Sequence, residues 1–208
     1  MNFDVQSNLA AVERSVAALE RDGQPAGAVT LSRSFDAAIE DVWDGVTNAE
    51  RISRWFTPVS GNLELGGRFQ LEGNASGTIT ACERLSHFAV TWEFGGDMSW
   101  VDVSLEATEE GQVRLTLTHT AILSAHWDEY GPGAAGVGWE WGLLGLAIHL
   151  ERPAEPMPGA AEFVASDSGR AFFAGSSDGW AIAAIAAGTD ADIAHAAARR
   201  TTAFYTGE

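Results

Sequence analysis

The stretch Gly136–Leu150 reads GVGWEWGLLGLAIHL, and the way it is covered decides the fold. The run is almost entirely apolar, and Glu140 is the one acidic residue inside it. A helix that crosses a bilayer needs about 20 apolar residues, whereas Glu151 closes this run after 15 residues. An apolar helix too short for a membrane has to be covered by other parts of the protein. We therefore predict a buried helix and no membrane insertion.

The apolar side chains of this helix indicate what covers it. At helical spacing they form one broad stripe, which comprises Trp139, Leu143, Leu146, Ala147 and Leu150 and is widened by Trp141, Leu144 and Ile148. A sheet buries its apolar face against another layer of structure. A stripe this wide therefore suits a long helix that lies across a curved sheet.

The segment 59–123 has the period-two alternation of half-buried strands, with a weaker fifth strand at 75–85. Glycine pairs at 66–67 and 95–96 are typical of turns or bulges between strands. Consecutive strands with tight turns predict an antiparallel sheet with one buried face and one wet face. The residues assigned to the buried face are Leu63, Leu65, Phe69, Leu71, Phe88, Val90, Trp92, Phe94, Val101, Val103, Leu105, Val113, Leu115, Leu117 and His119.

Four further elements are predicted before this sheet. The seam Val5, Leu9, Val12, Val16, Leu19 predicts a helix over 4–22, with Gly23 as its C-terminal stop. Residues 28–35 look like a strand, and 38–56 predict two short helices. We expect Asp36 to cap the first of these helices and Thr47 with Asn48 to cap the second.

The tail is predicted to be helical over 167–187 and 190–204, with Thr189 and Asp192 as a capping box for the second helix. A proline-rich linker at 153–160 precedes it. The chain then divides into an N-terminal helix (1–25), a central domain (26–152), and a linker with a C-terminal helical extension (153–208).

Composition excludes some classes of partner. The 208 residues carry a formal net charge of −17, and nucleic acids and anionic lipids both require a positive surface. The N-terminus has neither a basic start nor an apolar core of the kind found in signal peptides. We therefore expect a cytoplasmic protein that does not bind nucleic acid.

No motif for a cofactor or metal emerges. The sequence GPGAAG (131–136) fits the dinucleotide-binding pattern only in its letters, because no alternating strand and helix surround it. His119, His126 and His149 lack the close spacing of metal ligands. The single Cys82 has no recognisable partner for nucleophilic catalysis. We expect no cofactor and no metal, and assign no catalytic residue.

Several motifs resemble those of bacterial homologues of the activator of heat-shock protein 90 ATPase, within the START-like (SRPBCC) superfamily. They are FDAAIEDVWDGVTNAERISRWFTPV (35–59), GNLELGGRF (61–69), GTITACERL (77–85), VTWEF (90–94), LTLTHT (115–120) and YGPGAAGVGWEWGLLGLAIHL (130–150). The resemblance covers roughly 28–151. It implies an α+β helix-grip fold, in which a curved antiparallel sheet wraps a long helix. Across the superfamily the cavity between sheet and helix binds lipids, hormones, polyketides or other apolar ligands.

Seven residues are candidates for the lining of such a cavity: Trp55, Phe69, Trp92, His119, Tyr130, Trp139 and Leu143. Apolar walls with a few polar groups are typical of small-molecule sites. Large aromatic residues can equally fill a closed core. His119 is the polar residue of most interest, because it continues the buried set of its strand. It can orient a ligand, act as an acid or base, or simply bond to a neighbouring group.

Three functions fit these observations. The first is reversible binding of a small, largely apolar molecule. The second is an enzyme of the polyketide cyclase or hydrolase type, with His119 paired to Glu140 or Tyr130. The third is interaction with a chaperone, as the name of the family suggests. The terminal helices are expected to pack on the sheet or to form a homodimer.

Overall fold

A computed structural model describes residues 4–154 and 159–208. Eight helices and eight strands are assigned within these ranges. The helices are α1 (Val5–Ala10), α2 (Ile39–Thr47), α3 (Ala49–Trp55), α4 (Ala125–Tyr130), α5 (Gly133–Glu151), α6 (Ala160–Ala165), α7 (Asp167–Ala186) and α8 (Ala191–Thr206). The strands are β1 (Glu13–Arg21), β2 (Gln24–Phe35), β3 (Val59–Gly61), β4 (Arg68–Leu71), β5 (Ser76–Glu83), β6 (His87–Phe94), β7 (Asp97–Ala107) and β8 (Val113–Ile122).

The strands form one eight-stranded sheet in the order β1-β2-β8-β7-β6-β5-β4-β3. Every pairing from β3 to β8 along this order is antiparallel. Val101, Val103, Leu115 and Leu117 are buried as strand alternation predicts, whereas Phe94, at the end of β6, is 59% exposed. The predicted α+β class and antiparallel sheet are confirmed.

The chain divides into two compact units. The first, here called the terminal unit, contains the described residues within 1–31, 122–141 and 158–208. The second, here called the sheet unit, contains the described residues within 32–121 and 142–157. Helix α5 contributes residues to both units. None of the helices in the described residues is long and apolar enough to cross a membrane.

The predicted N-terminal helix over 4–22 is wrong. Within it, α1 ends at Ala10 and β1 begins at Glu13; residues 1–3 lie outside the described residues. The reason is the Asp22–Gly23 pair, in which both residues adopt positive φ angles of 53° and 76°. Two such residues between strands form a tight hairpin turn. Gly23 therefore ends a strand and starts a hairpin, and the helical spacing of Val12, Val16 and Leu19 is coincidental.

Elsewhere the predicted elements hold, with corrections at their ends. The strand at 28–35, the helix pair within 38–56 and the helices at 167–187 and 190–204 are all present. Leu63 and Leu65 are not in a strand; Leu65 is 64% exposed, because Gly66 and Gly67 form a turn that bonds to Ile79 and Glu64. The predicted linker at 153–160 includes 155–158, which lie outside the described residues.

The helix caps differ in part from those predicted. Ala38, not Asp36, is the N-cap residue of α2, and no side chain bonds there. Asn48 caps α3 as predicted, accepting a bond from the Glu50 amide. In α8 the cap is Asp190, whose carboxylate accepts from the amides of Asp192 and Ile193. Asp190, directly before the helix, is therefore the N-cap residue that we predicted to be Thr189.

Glycines in the first half of α5 allow close packing within the terminal unit. A methyl group added at Gly136 would lie 2.2 Å from Cε2 of Trp180, and one at Gly138 would lie 2.8 Å from the Tyr205 hydroxyl. One added at Gly133 would lie 3.1 Å from the Thr201 methyl. Gly133 and Gly136, which lie in the segment that resembles a dinucleotide motif, and Gly138 therefore let α7 and α8 approach the backbone of α5.

Candidate functional site

An aromatic row lies on one face of the sheet unit. Residues directly opposite in an antiparallel pair share a face. The register pairs Phe69 with Gly77, Trp92 with Ser99, and Val101 with His119. The ring centroids of Phe69 and Trp92 are 6.2 Å apart, and those of Trp92 and His119 are 6.4 Å apart. Three of the seven predicted lining residues are thus brought together, as strand alternation required.

Gly77 makes this row possible. A methyl group there would lie 2.8 Å from Cε1 of Phe69 and 1.8 Å from the carbonyl oxygen of Thr91. The Phe69 ring therefore lies across β5 at the one residue without a side chain and reaches towards Trp92. Any larger residue would push the ring away or distort the pairing of β5 with β6.

A second polar residue, Ser99, lies on the same face. The His119 Nε2 and Ser99 Oγ atoms are 2.7 Å apart. Ser99 Oγ also donates to the Trp92 carbonyl oxygen, at 3.2 Å. Because the serine proton is used in that bond, this network favours the tautomer in which His119 Nε2 donates to Ser99.

Burial keeps His119 neutral. It lowers the pKa of the imidazole from its usual 6.5 to about 4, because the charged ring is disfavoured away from water. At neutral pH this face therefore carries an uncharged imidazole beside the rings of Phe69 and Trp92. That chemistry suits a neutral ligand better than an anion.

Trp55 and Leu143 also belong to the sheet unit. The Trp55 indole donates to the Gly45 carbonyl oxygen at 2.9 Å, which fixes the end of α3 against α2. A methyl group at Gly142 of α5 would lie 3.7 Å from the Phe56 ring and 3.9 Å from that of Trp55. Leu143, the next residue of α5, is 4% exposed. Their part in a ligand site stays a prediction.

An ionic cluster anchors the second half of α5 to the two short helices. Arg51 of α3 donates to the carboxylates of Asp41 and Asp44 in α2. Its Nε donates to Nε2 of His149 in α5, at 3.2 Å. That bond requires an unprotonated Nε2, and burial together with the nearby Arg51 charge lowers the pKa of His149. The bond that links this cluster to α5 therefore requires a neutral His149.

Tyr130 and Trp139 are placed in the terminal unit. Tyr130 ends α4, where its ring contacts those of His126 and Phe204 at centroid distances of 4.7 and 5.3 Å. Trp139 is half-buried on α5. Their assignment as lining residues stays a prediction.

Glu140 takes part in a different buried network. Its carboxylate is 1% exposed and forms an ion pair with Arg14. It also accepts from Arg14 Nε at 2.9 Å and from Ser176 Oγ at 2.8 Å. Arg14 donates further to the carbonyl oxygens of Leu9 and Val12. The acidic residue in the apolar run is therefore fully bonded to a strand and to α7, which is the arrangement of a structural charge.

Ser99 and Gly77 were not predicted from the sequence as residues of this site. Ser99 was detectable, because it has the same strand parity as Val101, Val103 and Leu105 and is the polar residue that continues that row. Gly77 was quoted only as part of a motif. Its role depends on the facing Phe69 ring, which the sequence does not pair with it.

Comparison with known proteins places the chain in a family. The model of the family Activator of Hsp90 ATPase homolog 1-like protein matches residues 36–151, more than half of the chain. The chain belongs to this family. No curated protein matches it.

Solved structures agree with this assignment. A crystal structure of CalU16 from Micromonospora echinospora is 31% identical, covers 69% of this chain and 88% of that chain, and has a TM-score of 0.59. A solution structure of CalU16 covers 85% and 97% of the two chains at 29% identity and a TM-score of 0.69. Protein MLL2253 from Mesorhizobium loti, at 20% identity, covers 62% and 99% with a TM-score of 0.54 and shares the fold. The predicted START-like family and helix-grip fold are confirmed.

Proposed function

We propose that the protein reversibly binds a small, largely apolar molecule on the aromatic row of the sheet unit. Phe69 and Trp92 would provide the apolar contact, and His119 with Ser99 would orient the guest. Leu143 and Trp55 are the predicted contributions of α5 and α3. The observation that carries the proposal is the His119–Ser99 pair, two bonded polar groups beside the buried apolar residues Val101, Val103 and Leu117 of the same face. Small-molecule sites commonly have this composition.

The polarity of the network favours one class of ligand. The His119 ring is bonded to Ser99 and is neutral at pH 7. A neutral ligand with an aromatic or aliphatic body matches this uncharged imidazole and the apolar rings beside it. A carboxylate would meet a ring that cannot take up a positive charge without a cost in solvation.

The test is native purification followed by denaturing mass spectrometry. We expect a small molecule in stoichiometric amount to be released from the wild-type protein and to be lost from Trp92→Ala. The matched control is Trp100→Ala, one strand away and of opposite parity to Ser99, which should retain the molecule. A wild-type protein that releases nothing and binds no aromatic alcohol in calorimetry would contradict the proposal.

Two alternatives remain to be distinguished from simple binding. An enzyme of the polyketide cyclase or hydrolase type would convert the released molecule, and His119→Asn would abolish turnover. Here Glu140, one of the two nominated partners of His119, is bonded to Arg14 and Ser176. A chaperone-interacting role rests on the family description, and co-purification with a chaperone that survives Trp92→Ala would favour it.

A further inference from the structure

Strand β1 forms one edge of the eight-stranded sheet, next to β2. An edge strand presents backbone donors and acceptors on one side that can pair with another strand. Residues 17–21 of β1 are all exposed, including Leu19, which is 37% exposed. This edge belongs to the terminal unit, whereas the proposed ligand site belongs to the sheet unit.

The hairpin turn determines which backbone groups face outwards. Asp22 and Gly23 form a two-residue loop with positive φ angles at both positions. In such a hairpin the flanking residues, Arg21 and Gln24, form a hydrogen-bonded pair. Alternate residues of β1 counted back from Arg21 therefore bond to β2. The intervening residues, Arg14, Val16, Ala18 and Glu20, point their amide and carbonyl groups away from β2.

The sequence of β1 is complementary in charge to itself when it is reversed. It reads ERSVAALER from Glu13 to Arg21. An antiparallel pair of two copies centred on Ala17 sets Glu13 opposite Arg21 and Arg14 opposite Glu20, twice each. In the same register Val16 lies opposite Ala18. The pairs Arg14–Glu20 and Val16–Ala18 join residues whose backbone groups point outwards, so the charge pattern and the hydrogen-bonding pattern select the same alignment.

Other alignments lose this match. Shifting one copy by two residues keeps the backbone pattern but places Glu13 opposite Leu19, or Arg21 opposite Ser15. Like charges on an edge strand protect it from self-association when they lie opposite the same charges on a second copy and repel them. Here each acidic residue instead meets a basic one, which favours one register.

We propose that β1 pairs antiparallel with β1 of a second copy, centred on Ala17, so that the two sheets continue into one another across a twofold axis. Glu13 and Arg21 form the exposed ion pairs of this interface. Arg14 keeps its bond to Glu140 on the face covered by α7, and Glu20 of the second copy joins that face. The arrangement is self-complementary, as a twofold dimer requires.

The test is sedimentation velocity of the full chain over a wide range of protein concentration. We expect a reversible dimer for the wild type. Glu13→Arg places like charges opposite each other at two symmetric positions and should raise the dimer Kd about tenfold. The double variant Glu13→Arg, Arg21→Glu restores opposite charges and should restore dimerisation. Glu109→Arg, in an exposed turn between β7 and β8, changes the net charge equally and should leave the Kd unchanged.

A second variant tests the backbone pairing. Ala18→Pro removes an amide that points away from β2, so the hairpin is retained while an intermolecular bond is lost. We expect a monomer with an unchanged circular dichroism spectrum. A wild type that stays monomeric at all concentrations would overturn the proposal. So would a dimer that responds to Glu13→Arg no more than to Glu109→Arg, or one that persists in Ala18→Pro.

Discussion

At the scale of single residues, His119 links the candidate site to stability. Burial lowers its pKa to about 4 in the folded protein, against 6.5 for an exposed histidine. Between these values the unfolded state binds a proton that the folded state does not. The free energy of unfolding therefore falls as the pH decreases through this window, and the contribution is fully present above pH 6.5.

We expect this histidine to contribute on the order of 2–3 kcal/mol to the loss of stability between pH 6.5 and 4. The measurement is urea denaturation at several pH values for the wild type and His119→Gln, since glutamine does not titrate. The difference between their pH profiles isolates His119 from the carboxylates and from His149. If the free energies of unfolding of the two proteins changed in parallel over this window, burial would not lower the pKa of His119.

The buried pair Arg14–Glu140 gives a second prediction. Arg14→Gln leaves a fully buried carboxylate without its cation, and we expect about 3 kcal/mol less free energy of unfolding. Adding Glu140→Gln removes the isolated charge and should recover most of that loss. A double-mutant cycle by denaturant titration measures the coupling. Additive effects of the two substitutions would contradict an interaction between these side chains.

Residue-level features were only partly predictable. Strand parity found Phe69, Trp92 and His119, because each strand there alternates without interruption. Ser99 has the same parity and was overlooked, since a serine in a strand draws attention only when its partner is known. The role of Glu140 was also missed, because its partners Arg14 and Ser176 lie 126 and 36 residues away in sequence.

At the scale of elements, α5 depends on the positions of its glycines. Gly136→Ala would place a methyl group 2.2 Å from Trp180, a side chain that is 1% exposed and unable to move aside easily. We expect a loss of about 1–3 kcal/mol in the free energy of unfolding. Circular dichroism during thermal unfolding would measure it.

Gly142→Ala is the matched control in the same helix. Its methyl group would meet the Phe56 ring at 3.7 Å, an ordinary contact distance. Alanine favours a helix interior over glycine by about 1 kcal/mol, so this variant should be as stable as the wild type or more so. Equal losses in both variants would show that the tight contact with Trp180 is not what restricts Gly136.

Helices and strands were predicted correctly where the apolar pattern extends over many residues. The prediction failed where a hairpin turn determines the secondary structure. The sheet from β4 to β8 and the helix α5 have strong patterns and were found. The N-terminal segment has a helical seam from Val5 to Leu19, but Asp22 and Gly23 form a hairpin turn that commits Glu13–Arg21 to a strand. Tertiary pairing outweighed helical spacing there, and the Asp-Gly dipeptide was the available signal.

At the scale of the whole molecule, charge dominates the response to solvent. A formal net charge of −17 on 208 residues implies repulsion across the surface, which dissolved salt screens over about 10 Å at 0.1 M. We expect the Tm to rise when sodium chloride is added from low ionic strength to about 0.15 M. Scanning calorimetry at constant pH measures this. A fall in Tm would indicate that attractive surface pairs outweigh the repulsion.

The side chains of α7 and α8 that pack against the glycines of α5 limit how far the chain can be shortened. A fragment cut to the family match, 36–151, would keep α5 whole but lose Trp180, Thr201 and Tyr205, which fill the space before its glycines. Glycine is among the weakest helix formers. The glycine-containing first half of α5 would therefore be exposed to water and only weakly helical. Expression of the family region alone should therefore yield a frayed, poorly soluble product, because the tail and the first half of α5 belong to the same compact unit.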